Sequence, residues 1–64
     1  MKIFVEQFRL EKGLSLSELS RMSGVAVSHI HNIEGGHKIP TLTVLCKLAR
    51  ALEVPCSKLF SCDD

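Results

Sequence analysis

The sequence predicts an all-α fold, with five short helices packed into one compact domain. Turn-forming residues divide the chain of 64 residues into five segments, and each segment spaces its apolar residues as a helix does. No segment sustains the apolar–polar alternation of a half-buried strand. The hydrophobic content of 45% is sufficient for a self-standing core at this length. We therefore expect residues 1–64 to form a single domain.

Glycine and serine mark the boundaries of the first two helices. The first is predicted from about Lys2 to Lys12, with Gly13 as its C-cap. The second follows Ser15, which stands three residues before Glu18 in the capping-box pattern. In that pattern the serine oxygen and the carboxylate each accept a hydrogen bond from a backbone amide that the helix leaves unpaired.

Glycine, threonine and proline bound the other three helices. The third runs from residue 26 or 27 to Glu34 and ends at the pair Gly35–Gly36. The fourth opens at Thr41. The fifth starts near Pro55, because proline suits the first turn of a helix, and it reaches Phe60.

Apolar residues at helical spacing define the inward face of each predicted helix. In chain order the five faces are formed by Phe4, Val5 and Phe8, by Leu19 and Met22, by Ile30 and Ile33, by Leu42, Leu45, Leu48, Ala49 and Leu52, and by Leu59 and Phe60. The stripe of the fourth helix is the clearest.

Residues 16–35 are organised as two short helices that meet at a tight turn. Each is too short to be stable alone, so packing must hold the pair together. Gly24 adopts a positive φ without strain, and the small Ser20 lets the helices approach closely. The apolar residues that can meet between them are Leu19, Val25, Ile30 and Ile33. This is the specification of a helix-turn-helix, in which the second helix is held outward to enter a DNA major groove.

Composition and charge exclude some classes of protein. No apolar run approaches the length of about 18 residues that spans a membrane, and a start that carries Glu6 and Glu11 is unlike a signal peptide. We therefore expect a cytoplasmic protein with no membrane partner. The net charge is only +1, and without the two closing aspartates eight basic side chains face five acidic ones, which gives +3. Charge alone thus does not predict nucleic-acid binding.

The cysteines and histidines predict neither a metal site nor catalysis. Cys46, Cys56 and Cys62 form an odd set without a C-x-x-C pair, which favours reduced thiols in a reducing cytoplasm. A redox switch or an intermolecular disulfide through Cys62 is the alternative. His29 and His31 lie two residues apart on a helix and point to different faces. No nucleophile turn or oxyanion loop frames a catalytic group, so we expect no metal, no cofactor and no enzymatic activity.

Short motifs occur in register along most of the chain, from about Val5 to Phe60. They are Arg9 within FRLEKGLS, Gly13-Leu14-Ser15, Glu18-Leu19, Gly24-Val25, Ile30-x-x-Ile33-Glu34, Gly36, Pro40-Thr41-Leu42, Leu45-x-x-Leu48-Ala49-x-x-Leu52-x-Val54 and Leu59-Phe60. In this set the chain resembles the phage-repressor or Cro-like helix-turn-helix family, also called the XRE family. The resemblance implies a five-helix repressor-type DNA-binding domain, with residues 27–34 as the recognition helix.

The resemblance also implies contact residues for DNA bases. The outward face of the recognition helix carries Val27, Ser28, His31 and Asn32, which align with base-contacting positions of the family. Asn32 is the strongest candidate, because its amide can pair bidentately with adenine N6 and N7. Ser28 can bond a base edge or a phosphate, Val27 can contact a thymine methyl group, and His31 can donate to guanine or to a phosphate.

Other residues around this face are candidates for the DNA backbone, which positions a duplex without specifying its sequence. They are Ser17 at the start of the second helix, His29 beside the reading face, Lys38 in the following loop, and the exposed amides of Gly35 and Gly36. Three positions depart from the family pattern. Leu16 replaces a common glutamine and is expected to pack on the first helix or on a partner, Ala26 replaces a capping serine or threonine, and Gly35 replaces a common asparagine.

The resemblance further implies a structural ion pair between Arg9 and Glu34, which would hold the recognition helix in place. We therefore expect a sequence-specific transcriptional regulator of double-stranded DNA, acting as a dimeric repressor on a pseudo-palindromic operator. The homodimer would use Pro55–Phe60 with Leu52, where an exposed apolar patch is expected. The alternative is an antitoxin-like or accessory regulator that acts mainly through a protein partner.

Overall fold

Four α-helices and a small two-stranded sheet make up residues 1–62, the part of the chain that the computed structural model describes. In chain order the elements are β1 (Lys2–Ile3), α1 (Val5–Glu11), α2 (Leu16–Ser23), α3 (Val27–Glu34), α4 (Leu42–Leu52), a 3₁₀ turn (Cys56–Lys58) and β2 (Phe60–Ser61). Helix α2 packs against both α3 and α4, and α1 contacts the same two helices. The mainly helical fold is as predicted, but the number of helices is not.

The predicted fifth helix is wrong, and the described chain has a single 3₁₀ turn and a strand in its place. Pro55 is extended, with ψ at 141°, and the turn that follows it is three residues long. Strand β2 then pairs antiparallel with β1, with Ile3 opposite Phe60, and the Phe4 N–H donates to the Leu59 carbonyl at 2.8 Å. These long-range hydrogen bonds satisfy backbone groups at both ends of the domain, and they override the local helical spacing.

The first helix is shorter than predicted for the same reason. Helix α1 begins at Val5, and Lys2 belongs to β1, where it pairs with Ser61. A strand of two residues is too short to show alternation, and its partner lies at the opposite end of the sequence. Nothing local therefore distinguishes it from an extra turn of helix.

The core lies between the four helices and the C-terminal turn. Among the described residues its buried apolar side chains are Val5, Leu19, Val25, Ile30, Ile33, Leu45, Leu48, Ala49, Leu52 and Leu59. Five residues of the predicted inward faces lie outside it: Phe4, Phe8 and Phe60 are half-buried, Met22 is 51% exposed and Leu42 is 67% exposed. Met22 stands in the last turn of α2 and Leu42 is the first residue of α4, where neighbouring helices no longer cover the apolar stripe.

The predicted capping box at the start of α2 is confirmed. Ser15 Oγ accepts a hydrogen bond from the Glu18 N–H at 3.0 Å, and Glu18 Oε1 accepts one from the Ser15 N–H at 2.8 Å. The bond from the Ser15 N–H is the main cause that lowers the pKa of Glu18 below its ordinary value. Helix α2 ends as expected at Gly24, in the left-handed conformation with φ at 76°.

Candidate nucleic-acid interface

Helices α2 and α3 form a two-helix unit joined by residues 24–26. Their shared side is sealed by residues with almost no exposed surface, namely Leu19, Val25, Ile30 and Ile33. Ser23 Oγ accepts a hydrogen bond from the Val25 N–H at 3.2 Å, which closes the turn. The angle between the helices is thereby set by packing and by the turn, and the outer side of α3 remains available to a ligand.

A buried ion pair anchors the end of α3 to α1. Arg9 Nε donates to Glu34 Oε2 at 2.8 Å, and Arg9 Nη2 donates to Glu34 Oε1 at 3.1 Å, so the contact is bidentate. The Arg9 side chain is 10% exposed and that of Glu34 is 6% exposed. The hydrogen bond to Glu34 raises the pKa of Arg9 and outweighs the opposing effect of burial. Glu34 is the last residue of α3, so the pair fixes this helix end against the body of the domain.

The outer side of α3 carries the four residues that the sequence assigns to base contact. Val27, Ser28 and His31 are exposed, and Asn32 is half-buried. Because one helical turn separates the first two from the last two, all four lie on one side of the helix. The structure thus brings them together on a single surface that offers hydroxyl, imidazole, amide and methyl groups, the chemistry that reads base edges in a major groove.

The residues predicted to contact the DNA backbone differ in how exposed their side chains are and in whether their amides are free to donate. Ser17 and Lys38 are exposed, and His29 is half-buried. The amides of Gly35 and Gly36, expected to be free donors, instead donate to carbonyls of α3 at 2.9 and 3.2 Å. That expectation is wrong, because the chain continues the hydrogen bonding of the helix through both glycines before it turns away.

The loop that carries Lys38 is tied directly to α3. The amides of His37 and Lys38 donate to the Asn32 carbonyl at 2.9 and 3.3 Å. The His37 ring also lies against Gly35, where an added Cβ would meet its Cδ2 atom at 2.9 Å. These contacts hold the backbone of Lys38 close to the C-terminal end of α3.

The structure describes two of the departures from the family pattern in detail. Leu16 is half-buried and packs against the core, and its expected contact with the first helix or with a partner stays a prediction. Ala26 stands at the N-cap of α3 and supplies no side-chain hydrogen bond. The first amides of α3 are thus left without a side-chain cap.

Two contacts of charged side chains that connect different elements were not predicted from the sequence. Arg9 Nη1 also donates to the Leu14 carbonyl at 2.8 Å, so the buried guanidinium holds the loop between α1 and α2. Lys12 Nζ lies 2.9 Å from Glu53 Oε1, which joins the end of α1 to the end of α4 and lowers the pKa of Glu53. Both partners are distant in sequence or are backbone atoms, and neither kind of contact leaves a local pattern.

Residues 1–62 contain no group of three or more histidine, cysteine, aspartate or glutamate side chains placed to hold a metal ion. Over the same residues no helix has the length and the apolar character needed to cross a membrane.

The sealed two-helix unit, the left-handed glycine turn and the exposed second helix together define a helix-turn-helix domain. The model of the helix-turn-helix family matches residues 5–59, and the chain belongs to this family, in its XRE-type group. The relatives that the chain matches in sequence are named HTH-type transcriptional regulators and not enzymes, in agreement with the expectation from the sequence.

Bacterial transcriptional regulators are among the relatives of the chain. It is 37% identical over 57 residues to the HTH-type transcriptional regulator SutR of Escherichia coli, which covers 89% of this chain and 32% of SutR. It is 41% identical over 51 residues to the HTH-type transcriptional regulator SinR of Bacillus subtilis, which covers 78% of this chain and 46% of SinR. The chain therefore spans about a third to a half of the length of these regulators.

Solved structures show the same arrangement of helices. The restriction-modification controller protein C.AhdI from Aeromonas hydrophila superimposes with a TM-score of 0.84 at 34% identity, over 88% of this chain and 85% of that protein. A chain of the SinR protein/SinI protein complex superimposes with a TM-score of 0.84 at 38% identity, over 89% of this chain and 56% of that one. These likenesses support the helix-turn-helix fold as the structure describes it.

Proposed function

We propose that the chain binds double-stranded DNA in a sequence-specific manner and acts as a transcriptional regulator, with α3 inserted into the major groove. One observation carries this proposal. Helix α3 is anchored on its inner side by the fully buried Ile30 and Ile33, while its outer side presents a row of small and polar groups. An exposed helix held rigidly in this way fits the width of a major groove.

Base readout is assigned to the outer side of α3. The Asn32 amide is suited to a bidentate contact with adenine, and the Val27 methyl groups are suited to a thymine methyl. The Ser28 hydroxyl and the His31 imidazole can each donate to an acceptor on a base edge. Rigid anchoring serves specificity, because a wrong base then leaves a donor or acceptor unpaired.

Backbone contacts would set the depth and register of α3 in the groove. Lys38 supplies a positive charge next to the end of α3, and Ser17 supplies a hydroxyl near the start of α2. His29 flanks the reading side and is placed with them as a phosphate contact. The uncapped amides at the start of α3 add a partial positive charge toward the duplex.

Two copies of the chain are needed to read a pseudo-palindromic operator. The domain measures 30 × 22 × 20 Å. Successive major-groove faces on one side of a duplex are about 34 Å apart, so one domain reads one half-site and a homodimer reads two. Bound across a promoter, such a dimer would exclude the transcription machinery, and a repressor is the role that we assign. Since the relatives are bacterial and bacterial DNA lies in the cytoplasm, we place this activity there.

Two residues of the dimer surface that the sequence suggested are not on the surface of the domain. Leu52 and Leu59 are fully buried in the core and are unavailable to a second copy. An exposed apolar strip lies instead at the start of α4 and is formed by Leu42 and by Ile39, which precedes the helix. We assign the contact between the two copies to this strip.

A protein partner is the second candidate for this surface. Ile39 is 79% exposed and, with Leu42, places two large apolar side chains in water at the start of α4. One structural relative was solved as a complex of SinR with the SinI protein. An accessory or antitoxin-like role would use the same exposed side chains to bind a different protein.

Selection of bound sequences from a random duplex pool tests the proposal. Wild type, Asn32→Ala and the control Gln7→Ala, a change on the exposed side of α1, would be compared at one salt concentration. We expect a palindromic motif for wild type and for the control, and a loss of information at one symmetric pair of positions for Asn32→Ala. No enrichment by the wild type would contradict DNA binding and would leave the protein-partner role.

A further inference from the structure

Cys46 and Cys56 bring their sulfur atoms within 3.9 Å of each other, although they lie ten residues apart in sequence. Cys46 projects from the exposed side of α4, and Cys56 opens the 3₁₀ turn, where it is half-buried against the core. The geometry points to a reversible modification site: a dithiol pair that closes to an intramolecular disulfide on reaction with a small-molecule disulfide. This inference does not rest on DNA binding or on dimerisation.

The distance between the sulfur atoms is short enough for closure with local movement. A disulfide requires the sulfur atoms to be about 2.0 Å apart, so the gap must shrink by about 2 Å. Rotation of the Cys46 side chain is unobstructed by the core because that side chain is exposed. Helix α4 and the 3₁₀ turn already pack against each other, so no element of the fold has to be displaced.

The two thiols have different environments, and these assign an order of reaction. Burial raises the pKa of the Cys56 thiol, and the contact with Cys46 raises it further. Cys46 is the more exposed of the two and is therefore the sulfur that an external reagent meets first. Cys56 then serves as the resolving thiol.

The reaction is thiol–disulfide exchange in two balanced steps. The Cys46 thiolate attacks one sulfur of the small disulfide, a mixed disulfide forms, and one thiolate of the reagent leaves. The Cys56 thiolate then attacks the Cys46 sulfur and expels the second thiolate. Two protein thiols are oxidised by two electrons, and the reagent is reduced to two thiols, which take up the two protons.

Proximity makes the second step favourable compared with modification by a second reagent molecule. The resolving thiol is already next to the mixed disulfide, so ring closure is unimolecular. Cys62 is exposed and forms no such pair among the described residues. The redox hypothesis for Cys62 stays a prediction, and the proposed disulfide concerns Cys46 and Cys56 alone.

The disulfide would join the middle of α4 to the turn that precedes Leu59 and β2. It closes a short loop through residues 47–55 and restricts the unfolded chain, so we expect the oxidised form to melt at a temperature higher by on the order of 10 °C. The helix-turn-helix is not part of the closed loop.

Cys62→Ser provides the test, because it leaves only the pair. The protein would be equilibrated in buffers of oxidised and reduced glutathione, its free thiols blocked with iodoacetamide, and its intact mass measured. We expect a monomer that has lost two hydrogen atoms and carries no alkyl group and no glutathione. The matched variants, Cys62→Ser with Cys46→Ser or Cys56→Ser, should instead end as mixed disulfides with one glutathione.

Other results in the same experiment would overturn the inference. The first concerns the glutathione buffers in which the single-cysteine variants already carry glutathione. If the Cys62→Ser protein in those buffers kept two alkylatable thiols, or carried two glutathiones, the pair would not close. Another is a disulfide-linked dimer in place of the closed monomer. An unchanged melting temperature after verified closure would contradict the stabilising effect.

Discussion

Arg9 and Glu34 are joined by two hydrogen bonds, of 2.8 and 3.1 Å, that connect α1 to the last residue of α3. Both side chains are almost wholly buried. A charge in this position is tolerated only because its partner and the Leu14 carbonyl satisfy the guanidinium. We therefore expect the pair to affect DNA binding through the position of α3 and not through contact with the duplex.

Arg9→Ala should lower the free energy of unfolding by about 3 kcal/mol, because it leaves the carboxylate of Glu34 buried without its partner. Urea denaturation of the free protein measures this change. Arg9→Lys keeps a charge but loses the bidentate geometry, and it should fall between wild type and Arg9→Ala. Lys12→Ala, which removes an ion pair in water, is the control and should have a much smaller effect. Weaker DNA binding by Arg9→Ala with undiminished stability would show that Arg9 contacts DNA directly.

Ser15→Ala should destabilise the domain by about 1 kcal/mol, since it removes the side-chain half of the capping box. The measurement is thermal or urea unfolding, with Ser17→Ala as the control from the first turn of the same helix. Equal losses from the two substitutions would contradict a specific role for the N-cap.

The same capping box predicts a dependence of stability on acid. Folding lowers the pKa of Glu18, so the folded state favours its ionised form. This contribution is fully present above the unfolded pKa of about 4.3 and is lost as the pH falls through the lower folded value. In Glu18→Gln the free energy of unfolding should therefore decline less between pH 5 and pH 3, roughly, than in wild type. Parallel declines would argue against the linkage.

Lys38→Ala should weaken DNA binding to all sequences alike, because a phosphate contact carries no base information. The slope of the logarithm of affinity against the logarithm of salt concentration should become shallower by about one. Fluorescence anisotropy over a salt series measures it, with Lys2→Ala in β1 as the control. A changed base preference with an unchanged slope would assign Lys38 to base readout.

Leu42→Lys should weaken self-association, since it puts a charge into the exposed apolar strip on α4. Sedimentation with and without operator DNA gives the dimer constant. Leu10→Lys is the control, because Leu10 is similarly exposed but lies on α1. If both variants associated as wild type does, the dimer surface would have to lie elsewhere.

Helix starts and stops within the body of the domain could be predicted from the sequence. The capping box at Ser15 and the left-handed turn at Gly24 each depend on residues close together in the chain, so local chemistry specifies them. Helices α2 and α3 and the outward side of α3 follow from apolar spacing in the same way. For this reason the surface proposed to read DNA could be predicted from the sequence.

The ends of the chain could not be predicted in this way. The pairing of Ile3 with Phe60 joins residues from opposite termini, and each strand is only two residues long. Read alone, both segments have apolar residues compatible with a helix. Only the closed domain brings them together, and the resulting backbone hydrogen bonds then favour strand over helix.

What the sequence by itself determined is the class of domain, because apolar periodicity, a capping box and a glycine turn are local properties. The tertiary structure alone decided which of the chain's polar, apolar and thiol groups remain available to solvent or to a ligand. It engaged the amides of Gly35 and Gly36 within the chain, buried Leu52, exposed Leu42, and placed the sulfur atoms of Cys46 and Cys56 3.9 Å apart. Availability depends on which neighbours cover a group, and that is settled only when elements distant in sequence pack together.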